Sequence, residues 1–162
     1  MDDDILRALG QAWGEAEVRD LAAAFAIEGM PVLGPDDLTC FLENHALGVE
    51  LTFTVADALK VRLRDYPPGA LVLHNIRFYG AGSRTHAVFT GVLPFGLRFG
   101  DTRSTLIEKL GPPDLEVEWL PSLRWDRARY ALFVVLGDDG SVARVALQTP
   151  VVPSSKPGFE ER

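Results

Sequence analysis

Apolar positions along this chain switch between helical and strand spacing, and the switches mark its elements. Asp2 to Leu9 reads as a short helix with three carboxylates at its positive end. Val18, Leu21, Ala22, Phe25 and Ala26 recur at steps of three and four, which predicts a helix from Glu15 to Ile27, stopped by Gly29 and Pro31. After the turn Gly34-Pro35-Asp36-Asp37 the period shortens to two. Phe41 to Asn44 predicts a short strand, and Val49, Leu51, Phe53 and Val55 predict a half-buried strand with Glu50, Thr52 and Thr54 on its other face. Lys60 to Arg64 alternates again, Leu71 to Tyr79 predicts a longer strand, and His86 to Phe89 a short apolar one.

Gly91 to Phe99, with its proline and two glycines, reads as a connector. Asp101, Thr102 and Ser104 offer N-caps to a helix over Thr102–Leu110, whose apolar face is Leu106, Ile107 and Leu110 and whose stop is Gly111-Pro112-Pro113. Arg129 to Leu136 and Val142 to Leu147 predict two strands joined by the turn Gly137-Asp138-Asp139-Gly140. From Pro150 onward the chain is rich in proline and serine and reads as a tail, residues 151–162.

The order of helix, Gly-Pro stop, loop and strands occurs twice. An offset of 82 residues carries Gly29 onto Gly111 and Gly48 onto Tyr130. This predicts a duplicated unit, with one copy over about 13–90 and the other over about 91–149. The expected fold is α+β: two tandem repeats of a helix plus antiparallel strands within one domain (1–150), the helices packed on an antiparallel sheet.

Composition narrows the function. Hydrophobic residues make up 47% of the 162 positions and charged residues 24%, as in a globular protein with a real core. The net charge of −7 argues against a general nucleic-acid binder, which needs clustered Lys and Arg. That charge is uneven. Residues 1–60 hold 12 acids against Arg7, Arg19 and Lys60, a net of −9, whereas 61–162 hold 11 acids against 13 bases. No run approaches 18 apolar residues, and Met1-Asp2-Asp3-Asp4 is the reverse of a secretory start, so a cytosolic location without membrane contact is expected. Cys40, the single cysteine, reads as a small buried side chain.

Catalytic patterns do not assemble. His45, His74 and His86 lack close-spaced His or Cys partners, so the spacing points to no metal site. No serine sits in a nucleophile elbow, and no Gly-rich run precedes Lys-Ser or Lys-Thr. Acids pair at Asp36-Asp37, Glu116/Glu118 and Asp138-Asp139, the first and last of these in turns. No cofactor is implied.

The stretch Leu93-Pro94-Phe95-Gly96-Leu97-Arg98-Phe99-Gly100, followed by Leu110-Gly111-Pro112-Pro113, Trp125-Asp126 and a Gly-rich hairpin, resembles a pattern of bacterial immunity proteins. These belong to polymorphic toxin systems, including those of type VI secretion. The unit of a helix and three strands is also similar to small lipoproteins that assist β-barrel assembly, but the lipoprotein cysteine signal is missing. The resemblance covers residues 91–148 well and the first half by pattern. It implies a non-catalytic protein that neutralises a cognate toxin by occluding its active site or substrate groove. An acidic inhibitor suits a basic toxin such as a nuclease. The expected partner-binding residues are Asp36, Asp37, Glu43, Glu50 and Asp57, with Phe41 or Tyr79 as aromatic anchors. A structural or adaptor module of secretion, or a small hydrolase using a carboxylate pair, are the alternatives. The chain is expected to be a monomer or homodimer.

Overall fold

The computed structural model describes residues 2–117, 119 and 121–151. Its centre is one antiparallel sheet built from β1 (Thr39–Asn44), β2 (Val49–Val55), β3 (Leu71–Tyr79), β4 (Leu115–Val117), β5 (Ser122–Asp126), β6 (Ala131–Leu136) and β7 (Val142–Gln148). The strand order is β1-β2-β3-β7-β6-β5-β4. Two meanders therefore meet at one seam, where β3 pairs with β7 from Asn75↔Gln148 to Tyr79↔Arg144. The protein is mixed α/β as expected, but the sheet is larger than three strands per unit: β4 and β5 precede the predicted pair in the second half. β2 and β6 begin at Val49 and Ala131, again 82 residues apart.

Three helices, α1 (Asp2–Ala8), α2 (Ala16–Ala24) and α3 (Arg103–Leu110), cover one face of the sheet. Ile5, Val18, Leu21, Phe25 and Leu106 from the helices join Leu51, Phe53, Ile76, Phe78, Leu132, Val145 and Leu147 from the strands in a single apolar cluster. The alternation that predicted β2 is what divides it: Val49, Leu51 and Phe53 enter this core, while Glu50, Thr52 and Thr54 face the other way. On that second face one cross-strand row runs Glu43, Glu50, Arg77, Ala146, Phe133, Arg124. A neighbouring row runs Phe41, Thr52, Asn75, Gln148, Ala131.

Several expectations need correction. α2 ends at Ala24 rather than Ile27. Ala26 takes the left-handed conformation, at φ 52°, before Gly29 is reached. The alternating Lys60–Arg64 and the short apolar His86–Phe89 form no strand. The last strand pair begins at Ala131, not Arg129. In α3 the N-cap is Thr102, whose N–H donates to Thr105 Oγ1 at 3.0 Å. Asp101 instead accepts from the Arg98 N–H and pairs with Lys109 at 2.7 Å. Gly111 closes the same helix at φ 84°, as its position predicted.

Cys40 is buried, which pushes its thiol up. No helix among the described residues is long and apolar enough to cross a membrane. The predicted tail from 152 onward, and Glu118, lie outside the described residues.

Candidate functional site: an acidic edge and a carboxylate–histidine cluster

The acids of the first half divide between the two ends of the β1–β2 hairpin. Asp36 and Asp37 are exposed in the turn before β1. Asp57 is exposed just past β2, and the Val55 N–H donates to Leu38 O, so all three share one end. Glu43 and Glu50 face each other at the other end, where the strands turn. Glu43 is six positions beyond Asp37, most of them in β1, roughly 20 Å at about 3.3 Å per residue. The five residues therefore do not form one patch. Nor is Glu50 a surface group: it is 7% exposed, so its alternation outward from the helices does not take it into solvent.

The chain around Asp36 and Asp37 in sequence carries exposed apolar side chains. Met30, Val32, Leu38 and Phe41 are four of the eight large hydrophobic side chains exposed among the described residues, and all lie within residues 30–41. β1 is the outer strand of the sheet, so among the described residues its far edge carries backbone groups without strand partners. Phe41, one of the two expected aromatic anchors, is 54% exposed. Tyr79, the other, is half-buried and stacked on His86.

At the turn end, local hydrogen bonds fix a second arrangement. Asn44 shapes the turn by accepting from the Leu47 N–H and ties it to α2 by donating to Phe25 O. Gly48, at φ 79°, lets the segment 85–89 approach closely. That segment hangs from the hairpin and from β3: the Ala87 N–H donates to His45 O and the Phe89 N–H to Tyr79 O, both at 2.8 Å. His86 is thereby clamped between two rings, with Tyr79 at 3.9 Å and His45 at 4.4 Å between centroids. Glu43 reaches both histidines, with Oε2 2.8 Å from His45 Nε2 and Oε1 3.4 Å from His86 Nε2.

The two glutamates are electrostatically unlike. Burial pushes Glu50 up to about 7, helped by its hydrogen bond with Glu43 and opposed by Arg77, 3.4 Å away. The same hydrogen bond, with the two histidines, holds Glu43 below its usual range. Glu43 is the ionised partner and Glu50 the one that keeps its proton. Because they are hydrogen-bonded neighbours on paired strands, they do not flank a space for a glycosidic bond, which requires carboxyls about 5–9.5 Å apart.

Farther along the same face, Arg77 and Arg144 line a cavity of about 280 Å³ with Asn75, Phe133 and Gln148. Burial and the charge of Arg77 lower Arg144. Sequence reading missed the His86 contact because His45 and His86 stand 41 positions apart. The one local signal was Glu43-x-His45, the two-residue spacing that places side chains on one side of an extended chain.

No family model matches the chain, and a comparison with curated proteins found no match. Among solved structures, the chain is similar to a DUF4309 family protein (YjgB) from Bacillus subtilis, with 23% identity, 86% of this chain and 78% of that chain covered, and a TM-score of 0.43.

Proposed function

We propose that the chain is a non-catalytic immunity protein, acting in the cytosol, that binds a cognate basic toxin and occludes its active site or substrate groove. The docking surface is the loop before β1 together with the outer edge of that strand. One observation supports this reading: within the single stretch 28–41, Met30, Val32, Leu38 and Phe41 are exposed and so are Glu28, Asp36 and Asp37. From Asp20 through Leu59 the chain has no Lys or Arg. Exposed apolar anchors interspersed in one segment with one sign of charge suit a partner of opposite charge: the apolar groups contribute affinity, and the carboxylates speed encounter and reject acidic surfaces. The buried Glu50 is excluded from this surface. Glu43 and Asp57 flank it at opposite ends of the β1–β2 hairpin.

The test is co-expression with a toxin encoded beside this chain, scoring rescue of growth and co-purification. Asp36→Lys with Asp37→Lys is expected to slow association and flatten its salt dependence, and Phe41→Ala to weaken the complex at least tenfold. Loss of rescue in these variants, with fold retained by circular dichroism, supports the surface. Unchanged rescue, affinity and salt slope remove it, and failure of the wild type to rescue or form a complex defeats the immunity reading.

A further inference from the structure

We propose that Glu43, His45 and His86 form a binding site for a divalent first-row transition cation of the zinc type. The three donor atoms lie within 4.8 Å of one another. Imidazole nitrogen and carboxylate oxygen are the ligands such cations take, at bonds of about 2.0–2.2 Å. Four-coordinate geometry then needs donors about 3.4 Å apart, so the widest pair closes by up to about 1.4 Å. Glu43 and His45, both exposed, are the side chains with room to make that movement, in which the His45 ring also turns out of its stack on His86 so that the two in-plane Nε2 lone pairs converge.

Hydrogen bonding at Nδ1 turns the Nε2 of both imidazoles toward Glu43. A carbonyl oxygen only accepts, so at 2.9 Å from Thr85 O the Nδ1 of His45 is a donor, and its Nε2 faces Glu43. His86 Nδ1 meets the Thr85 hydroxyl at 2.8 Å, which again leaves Nε2 toward Glu43. One residue, Thr85, thus orients both rings from behind, as partners of metal-bound histidines do.

The buried side points to a missing ligand. The His86 side chain is 3% exposed, and its Nε2 has no hydrogen-bond partner among the described residues. Its nearest acidic oxygen, Glu43 Oε1 at 3.4 Å, lies off the line a hydrogen bond requires. A cation between His86, Glu43 and His45 satisfies that nitrogen and neutralises the carboxylate. Glu50, cross-strand partner of Glu43 and itself 3.5 Å from the Tyr79 hydroxyl, backs the carboxylate from β2. Three protein donors leave a position for water or for a donor from a docked partner.

This inference does not depend on toxin binding, because its readout is metal on the isolated chain. Untagged protein stripped with chelator is titrated with zinc chloride by calorimetry, then with cobalt chloride while the visible spectrum is followed. The expected result is one saturable zinc per chain and an intense band from four-coordinate cobalt. His45→Ala removes an exposed ligand and is expected to lower affinity at least tenfold, as is Glu43→Gln, while Asp57→Asn binds as the wild type does. His86→Gln adds a buried test where circular dichroism shows the native fold. Absence of saturable binding, or a His45→Ala variant that binds zinc as tightly as wild type, overturns the site.

Discussion

Gly48 and Gly69 offer a matched pair for separating two costs of placing a side chain on the backbone. Both have positive φ, 79° and 77°. A Cβ on Gly69 meets nothing within 4 Å, whereas one on Gly48 would lie 2.2 Å from Ala87 O and 2.9 Å from Phe89 N. Gly69→Ala therefore adds only the left-handed backbone cost, roughly 1–2 kcal/mol. Gly48→Ala adds the same cost plus displacement of the 85–89 backbone. Overpacking of this kind costs about 1–3 kcal/mol where the neighbour cannot yield. Here the neighbour is backbone held by hydrogen bonds to His45 and Tyr79. The expected total for Gly48→Ala is about 2–5 kcal/mol, exceeding Gly69→Ala by about 1–3 kcal/mol. Urea unfolding followed by circular dichroism measures both variants under one set of conditions, with equal slopes as the check on comparability. Equal destabilisation, within about 0.5 kcal/mol, would refute the close approach of segment 85–89 to the hairpin.

Two further outcomes follow from buried polar groups. Burial lowers His74, whose Nδ1 lies 2.7 Å from Thr149 Oγ1. Its folded pKa sits below the unfolded value near 6.5, so the unfolded chain takes up the proton first and His74 costs stability progressively as pH falls below about 6.5. His74→Gln is expected to flatten the loss of stability between about pH 7 and pH 5 relative to wild type, and an unchanged slope in paired urea titrations would remove the assignment. Trp125 is 1% exposed, and its Nε1–H donates to Gly111 O at 2.9 Å. Trp125→Phe should cost about 2 kcal/mol by thermal or urea unfolding, from a lost bond and a void at the end of α3, and a loss under about 0.5 kcal/mol would contradict that packing.

Legibility of the fold tracked how local each signal was. The cap and stop of α3 were readable because Thr102 and Gly111 act on their own neighbours in sequence. The strands β2, β3, β6 and β7 showed themselves through apolar character on at least one face. β5 did not, because Ser122-Leu-Arg-Trp-Asp places Arg124 beside Asp126 on one face and buries Trp125 on the other, a division visible only once the strand has neighbours. The alternating Lys60–Arg64 segment shows the converse: alternation permits a strand but does not supply a partner for it. Among the candidate site residues, exposure at Asp36 and Asp37 followed from turn chemistry. The burial of Glu50 did not, since it depends on Arg77 and Tyr79 arriving from β3. The juxtaposition of His45 with His86 likewise needs the return of the chain over Gly48.

The seam between β3 and β7 also sets an order of events during synthesis. Among the described strands β7 is the last to leave the ribosome, yet it lies in the middle of the sheet, between β3 and β6. Until residues 142–148 emerge, the first meander presents β3 as a raw edge, with Ile76 and Phe78 short of the Leu147 and Val145 that pack beside them. While residues 80–141 are being made, the nascent chain thus carries an adhesive strand edge, and the two meanders become one sheet only when β7 inserts between them.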